Sequence, residues 1–438
     1  PLVILLAAAT VGAFLPSPSI LGGWESSTIF STYGVLDNHL SFEIAKRGNI
    51  GGAGYFPLEL SRSILEHFGL APTLWALRIP VIFCGLLGVF LFYLIAKRWF
   101  AIWPAVVAAS LLAVNPLYNQ YQHELIVAAP SLTAFLFFFE RLQFLALNQR
   151  RWLAWITLSL AIVLVALLYG PGRILAAITL VAWVAKSMYR ICRSANLRLL
   201  REFSVQLLTS LFISIVSILA IDPKNLTALG PQLFFPKNAE TLVVTESQIP
   251  FAISLVNNIQ ILIESLVLGG GPHHAAAIES TLSQGRFPII PLVISPFVAL
   301  GLLLTFRNFF ATPQRWSSPF AAILFLATIT SLPMLTSTNF HLSVDGTQQL
   351  ISTLSPYRLM YFLLPAYLAI AVVSQTALRT RWSAILLLVS SVGLFAYSTH
   401  SLIESREALD RKILGGENNA GGRSERWTFT NTQDDYPS

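Results

Sequence analysis

Two acidic residues in polar segments have the chemistry of a general base or of a group that binds hydroxyls. Asp37 lies in Y-G-V-L-D-N-H-L-S-F-E-I-A-K-R-G just after the first apolar run, and Glu124 ends the run N-P-L-Y-N-Q-Y-Q-H-E. A carboxylate beside a low-dielectric phase binds a proton more readily than one in water, which suits proton transfer from a hydroxyl. The alternatives are a solvated loop acid for Asp37 and a helix-capping acid for Glu124. Glu124 could also bind a divalent cation, and the sequence specifies no other cofactor.

Three arginines stand where apolar segments begin, and this placement suits the binding of phosphate. Arg173 follows G-P-G, Arg358 follows S-P-Y, and Arg78 lies in A-L-R-I-P. An arginine that enters a membrane segment usually has a partner, and its planar fork binds phosphate oxygens in pairs. The alternative is a side chain that extends to the lipid headgroups, and it is strongest for Arg78, which lies at the start of its segment.

The histidines and cysteines do not indicate a metal centre. His273 and His274 are adjacent in G-G-G-P-H-H, which is poor ligand spacing, and no acid lies close by in the sequence. Cys84 and Cys192 are predicted on opposite sides of a membrane, so a disulfide between them is excluded. Two cysteines alone do not make a metal site.

The elements that position these residues are predicted to be membrane-spanning helices. The 438 residues are 55% hydrophobic and 11% charged, with a mean hydropathy of +0.66, whereas a soluble domain has about 25% charged residues. Apolar runs of about 20 residues predict an all-α polytopic membrane protein with about eleven transmembrane helices. These spans are 2–15, 76–96, 100–117, 125–145, 152–169, 172–189, 203–221, 287–306, 317–335, 356–377 and 382–399.

The basic residues predict which loops share a side of the membrane. Every even-numbered span ends at a loop that contains lysine or arginine, and the positive-inside rule places such loops in the cytoplasm. These residues are Lys97, Arg98, Arg150, Arg151, Lys186, Arg190, Arg193, Arg198, Arg201, Arg307, Arg315, Arg379 and Arg381. The net charge of +7 is thereby explained without a nucleic-acid partner. All the candidate acids and arginines then fall on the opposite, extracytoplasmic side.

The predicted domain organisation is a membrane domain over residues 1–399 and an outer tail over 400–438. The membrane domain has two long outer loops, 16–75 and 222–286. The loop at 16–75 is the first outer loop and the loop at 222–286 is the fourth. Each contains an amphipathic pattern typical of an interfacial helix. The patterns are S-R-S-I-L-E-H-F-G-L in the first outer loop and I-P-F-A-I-S-L-V-N-N-I-Q-I-L-I-E-S-L in the fourth. Tyr118 and Tyr121 are interpreted as part of the aromatic belt at the outer surface. The tail has no apolar periodicity and is predicted to order only against a partner.

Four blocks of the sequence together resemble a known superfamily. The first comprises Asp37, H-F-G at 67–69, A-L-R-I-P at 76–80, G-L-L-G-V at 85–89 and Lys97-Arg98. The others are N-P-L-Y-N-Q-Y-Q-H-E at 115–124, L-Y-G-P-G-R at 168–173 and S-P-Y-R-L-M-Y-F-L-L-P at 355–365. In their order and common outer location they resemble the GT-C glycosyltransferases, in particular the branch of protein O-mannosyltransferase and lipid A aminoarabinose transferase.

The resemblance implies an enzyme that moves a sugar from a polyprenyl-phosphate carrier to a glycan, lipid or protein acceptor, with inversion. In that interpretation Asp37 is the base, Glu124 binds the acceptor, and Arg173, Arg358 and Arg78 bind the phosphate of the carrier. The resemblance also implies a bacterial plasma membrane, with the active face extracytoplasmic.

A catalytically silent subunit with the same fold is the alternative. Related proteins carry a second acid where this chain has Asn38, and commonly an arginine and a tyrosine where it has Leu125 to Ala128. Such a subunit would be a scaffold in a membrane protein complex, with the tail as a contact. A transporter is disfavoured, because no acid relay or pair of broken helices is found within the spans.

The assignment of Asp37 as the base predicts that Asp37→Asn abolishes sugar transfer, because an amide cannot accept the proton of the acceptor hydroxyl. Transfer or hydrolysis of a polyprenyl-phosphate sugar by the purified protein measures this. Activity that survives the substitution would exclude Asp37 as the base.

Overall fold

The computed structural model consists mainly of helices. It describes residues 2–14, 64–65, 67–69, 74–123, 128–147, 152–168, 170–194, 196–221, 247–248, 251–266, 291–312, 318–335, 339–344, 347–352, 356–377, 392–393 and 396. Asp37, Glu124, His273, His274 and the tail lie outside these residues, as does nearly all of the eleventh predicted span.

The helices follow the first ten predicted spans closely. In chain order the helices are α1 Leu2–Phe14, α2 Leu74–Trp99, α3 Ile102–Val114, α4 Pro116–His123, α5 Ala128–Leu147, α6 Trp152–Leu167, α7 Gly170–Arg193, α8 Leu197–Ile221, α9 Phe251–Ser265, α10 Pro291–Ala311, α11 Pro319–Leu335 and α12 Pro356–Ala377. Among the described residues, five helices are long and apolar enough to cross a membrane, namely α2, α7, α8, α10 and α12. The prediction of a helical membrane protein is therefore confirmed, although not the number of eleven spans.

One predicted outer loop is a helix instead. Residues 118–124 were expected to be a loop after the third span, but the backbone is helical from Pro116 to His123. The two helices are separated at Asn115, whose backbone is extended at φ −61 and ψ 127. Because a residue before proline is disfavoured in the helical region, Pro116 ends α3 and starts α4.

A small antiparallel sheet is the second difference from the all-α prediction. Strands β1 Ser247–Gln248, β2 Asn339–Val344 and β3 Thr347–Ser352 pair in that order. Ser247 pairs with His341, and Leu342 pairs with Gln349. The sheet joins the loop at 222–286 to the loop at 336–355, so two loops that are far apart in sequence form one unit. Apolar periodicity over whole spans does not reveal such short strands.

The second predicted interfacial helix is present as α9, which covers Phe251–Ser265. In the first outer loop, residues 64, 65 and 67 have helical backbone, followed by a turn in which Gly69 has φ +61. A left-handed backbone of this kind favours glycine and ends a helix.

The core lies between α2, α3, α5 and α12. Phe92, Leu112, Phe135 and Leu364 are each almost completely buried there. By contrast, α6 and α8 expose large apolar side chains, such as Leu160 and Phe212. In a membrane protein those faces contact lipid, because hydrocarbon chains are as apolar as leucine.

A buried ion cluster joins α2 to α5 at the end of the bundle that is predicted to be cytoplasmic. The carboxylate of Glu140 is 1% exposed and pairs with both Arg98 and Arg141. Arg98 also donates to the backbone carbonyl of Glu140 at 3.2 Å. The guanidinium of Arg141 stacks on the ring of Phe144, 4.9 Å from its centroid. Arg98, at the end of the second span, thus has a buried carboxylate partner in addition to the position that the positive-inside rule predicts for it.

Glu140→Gln is expected to destabilise the bundle, because it leaves two arginines facing each other without their carboxylate. Loss of one partner of a buried ion pair costs about 3–5 kcal/mol, and the lower end applies since both arginines reach solvent. The matched control is Glu202→Gln, which removes the exposed pair between Arg198 and Glu202 and should cost no more than about 0.5 kcal/mol. Equal unfolding midpoints of the two variants in detergent would contradict a stabilising role for Glu140.

Candidate functional site

Helices α7 and α12 begin at the end of the bundle opposite the Glu140 cluster. Helix α7 begins at Gly170 and α12 at Pro356. A Cβ at Gly172 would lie 2.8 Å from the hydroxyl of Ser131 and 2.9 Å from that of Tyr361. Those two hydroxyls are hydrogen-bonded to each other at 2.8 Å. The first turn of α7 therefore packs against the start of α5, and the phenol of Tyr361, in the second turn of α12, reaches the same point.

The sequence explains why these two helices begin here. Each has a proline in its first turn, Pro171 in α7 and Pro356 in α12, where the missing N–H is not needed and the fixed φ suits a helix. The remaining N–H groups of a first turn have no partner within the helix and give it a partial positive charge. Two such ends close together favour an anion.

Arginines add full charges to these two helix ends. Arg173 lies in the first turn of α7, directly after the close contact at Gly172. Arg358 lies in the first turn of α12, three residues before Tyr361; its side chain is outside the described part of the structure. Two of the three predicted phosphate-binding arginines thus belong to helix ends that the fold brings together.

Arg78 does not extend to the lipid headgroups, which was the alternative that its position at the start of the span favoured. It is 1% exposed in the first turns of α2 and makes interactions within the protein. A side chain that extends to the headgroups would be exposed, so this interpretation is wrong for Arg78. A buried guanidinium needs partners, and Arg78 has them.

Helices α4 and α5 are each fixed against α2 by a hydroxyl group. The phenol of Tyr118 donates to the carbonyl of Gly85 at 2.6 Å. The hydroxyl of Thr133 donates to the carbonyl of Cys84 at 2.7 Å. Tyr118 and Tyr121 are both buried within the bundle, so their interpretation as an aromatic belt is wrong. Glu124 follows directly after α4 in the chain but lies outside the described residues.

A second buried network anchors α9 of the long outer loop. The side-chain amide of Asn115 donates to the hydroxyl of Tyr367 at 2.8 Å and to the carbonyl of Leu266 at 3.2 Å. The phenol of Tyr367 donates to the same carbonyl at 2.9 Å. Leu266 immediately follows α9, so the end of this helix is held by α12 and by the junction of α3 and α4. Sequence reasoning missed this network, although the N-P dipeptide at Asn115 marked the break between helices.

The arrangement can bind an anion at one end of the bundle, between the starts of α7 and α12. Asp37 falls outside the described residues, so its predicted role stays a prediction, as does that of Glu124. In the part of the chain that the structure describes, no three His, Cys, Asp or Glu side chains are grouped as a metal site.

Gly172→Ala is expected to push α7 away from α12, because the new methyl group would overlap the hydroxyls of Ser131 and Tyr361. Overpacking of this kind costs about 1–3 kcal/mol. The control is Gly393→Ala, where helical backbone has nothing within 4 Å of the added Cβ and alanine should be neutral or stabilising. Thermal unfolding in detergent measures both variants. A Gly172→Ala protein as stable as wild type would contradict the close packing.

Comparison with known proteins agrees with this architecture. Residues 64–220 match the family model described as dolichyl-phosphate-mannose-protein mannosyltransferase, which is a little over a third of the 438-residue chain. This match includes the positions of Arg78, Glu124 and Arg173. No curated protein sequence matches the chain significantly.

Two solved structures are similar in fold. ArnT from Cupriavidus metallidurans in the apo state is 15% identical, with a TM-score of 0.51 over 94% of this chain and 76% of that protein. The Archaeoglobus fulgidus oligosaccharyltransferase in complex with Zn and sulfate is 14% identical, with a TM-score of 0.53 over 99% of this chain and 58% of that protein. At such identities the likeness shows the fold alone. The chain therefore has the GT-C glycosyltransferase fold that the resemblance implied, and the family match covers the second and third sequence blocks and the first block from residue 64 onwards.

Proposed function

We propose that the protein is a membrane glycosyltransferase that moves a sugar from a polyprenyl-phosphate carrier to an acceptor. The observation that supports the proposal is that α7 and α12 each begin with an arginine in the first turn, Arg173 and Arg358, and that the phenol of Tyr361 on α12 reaches Gly172 on α7. The family match to a mannosyltransferase that uses a lipid-linked phosphate donor supports the same chemistry.

In the proposed reaction the oxygen of the acceptor hydroxyl bonds to the anomeric carbon, and the bond from that carbon to the carrier phosphate breaks. Negative charge then develops on the departing phosphate. Arg173, Arg358 and the N–H groups of the two helix ends stabilise that charge. Arg78 is the third arginine proposed for this phosphate, held from within the bundle.

The acceptor must lose a proton in the same reaction. We assign this proton to Asp37, which acts as the base on the side of the sugar away from the phosphate, so that transfer proceeds with inversion. Glu124, which follows α4, binds the acceptor. A divalent cation at Glu124 remains part of this proposal, as a further positive charge beside the phosphate.

We place the reaction at the extracytoplasmic surface of a bacterial plasma membrane. Arg98 and Arg141 mark the opposite end of the bundle, and the positive-inside rule assigns such an end to the cytoplasm. Residues 1–399 form the membrane domain, and the tail at 400–438 is proposed as a contact for a further membrane protein. The acceptor is a glycan, a lipid or a protein.

The competing function is a scaffold subunit with the same fold. Asn38 and Leu125 stand where related enzymes have acidic and basic groups, which favours it. Binding of the polyprenyl-phosphate carrier distinguishes the two functions, because an enzyme binds the carrier whereas a scaffold does not need it.

Binding of polyprenyl phosphate to the purified protein tests the proposal directly. Arg173→Gln and Arg358→Gln should each weaken binding about 10–100-fold, because each removes a charge-assisted hydrogen bond worth about 1.5–3 kcal/mol. Lysine at either position should restore only part of the affinity, since an ammonium lacks the planar fork. The control is Arg307→Gln, an exposed arginine near the end of α10, which should leave binding unchanged.

The outcomes separate the two functions. Absence of carrier binding by the wild-type protein, together with copurification of a stoichiometric partner, would establish the scaffold. Binding that both Arg173→Gln and Arg358→Gln retain would instead move the phosphate away from α7 and α12.

A further inference from the structure

The hairpin between α7 and α8 lies at the end of the bundle opposite the proposed site. Arg190 lies 17 residues after Arg173 on the same helix, about 26 Å away along its axis. The backbone N–H of Ser194 donates to the carbonyls of Arg190 at 3.2 Å and Ile191 at 3.1 Å, which closes the last turn of α7. The side chain of Asn196 caps α8 by accepting from the N–H of Leu199 at 3.0 Å. Each of the two helix ends is thus capped by its own hydrogen bonds.

This hairpin carries an excess of exposed positive charge. Arg190, Arg193, Arg198 and Arg201 are all exposed on it. The nearby acid is Glu202, which is paired with Arg198 at 3.0 Å. In the part of the chain that the structure describes, the other three arginines have no carboxylate within ion-pair distance. Guanidinium groups that have no carboxylate partner interact with an external anion or with bulk water.

The position of the hairpin relative to a bilayer favours a lipid anion over water. The candidate membrane span in α7 covers the 22 residues from Gly172 to Arg193, about 33 Å, and the hydrocarbon core of a bilayer is about 30 Å thick. The end of α7 therefore reaches the headgroup layer. Tyr189 is 66% exposed and Leu197 is 79% exposed beside the arginines, and tyrosine is typical of that depth.

A cluster of aromatic side chains packs between the helices next to the hairpin. The ring of Trp155 lies 6.3 Å from Trp183 and 5.7 Å from Phe203, between α6, α7 and α8. On the same end of α6, Trp152 is 71% exposed. Tryptophan at a helix end prefers the boundary between headgroups and hydrocarbon, so the exposed ring of Trp152 indicates the depth at which this end of the helices lies.

We propose that the α7–α8 hairpin is a binding site for anionic phospholipid headgroups, in the leaflet opposite the proposed sugar transfer. The phosphodiester accepts paired hydrogen bonds from Arg190, Arg193 and Arg201, while its acyl chains lie along Tyr189 and Leu197. Arg198 contributes less because Glu202 already neutralises it. This site does not depend on the proposed transferase activity, since its ligand is a bulk membrane lipid at the other end of the helices.

The experiment compares lipid retention by the full chain in two triple variants that lose the same charge. The first is R190Q/R193Q/R201Q, and the matched control is R150Q/R379Q/R381Q, which removes three arginines from other loops on the same predicted side. Each protein is extracted from nanodiscs made of phosphatidylcholine and phosphatidylglycerol, and the lipids that remain bound are counted by native mass spectrometry. The first variant should lose phosphatidylglycerol relative to phosphatidylcholine at least tenfold, and the control should retain it as wild type does.

Other outcomes would overturn the proposal. Equal loss in both variants would show an effect of net charge, and equal retention in both would show that the hairpin binds no lipid. Release of the lipid by soluble glycerol phosphate at low concentration would assign the site to a free phosphate instead. If the first variant does not fold, the single variants Arg193→Gln and Arg190→Gln are compared with Arg379→Gln, and each hairpin variant should show a smaller loss of the same sign.

Discussion

The contact of Gly172 with Ser131 and Tyr361 is the constraint on which the candidate site depends. It joins the first turn of α7 to the side chain of Tyr361 in the second turn of α12, although the two are far apart in sequence. Without a side chain at residue 172, the two hydroxyls can hydrogen-bond to each other directly above the helix backbone. The positive ends of two helices and two arginines then share one region. A larger residue there would separate the groups that the proposed reaction needs together.

Buried polar groups elsewhere in the bundle also hold helices together by pairing with one another. In a bilayer a buried polar atom has no water available and must be paired within the protein. Asn115, Tyr367 and the carbonyl of Leu266 satisfy one another near the outer end. Arg98, Arg141 and Glu140 do so near the other end. A third buried network, of Ser159, Ser210 and Ser214, joins the middles of α6 and α8.

The fold was largely predictable, because apolar runs and basic loops are local signals. The helices coincide with the first ten predicted spans, and α9 was expected from its amphipathic pattern. Tyr118 and Tyr121 were misplaced because an aromatic residue near a span end is usually interfacial, whereas Pro116 starts a new helix that carries both back into the bundle. The three-stranded sheet was missed because its strands are short and because β1 pairs with β2 across 94 residues of sequence.

The sequence by itself determined the class of protein, the order of the helices, the basic ends and the resemblance to the GT-C glycosyltransferases. Each of these depends on composition, periodicity or short blocks of neighbouring residues. Only the tertiary structure decided that Arg78 is buried, that Arg173 and Arg358 belong to adjoining helix ends, and that Asn115 meets Tyr367 across a separation of 252 residues. Such contacts follow from how whole helices pack, which depends on the shapes of side chains on several helices at once.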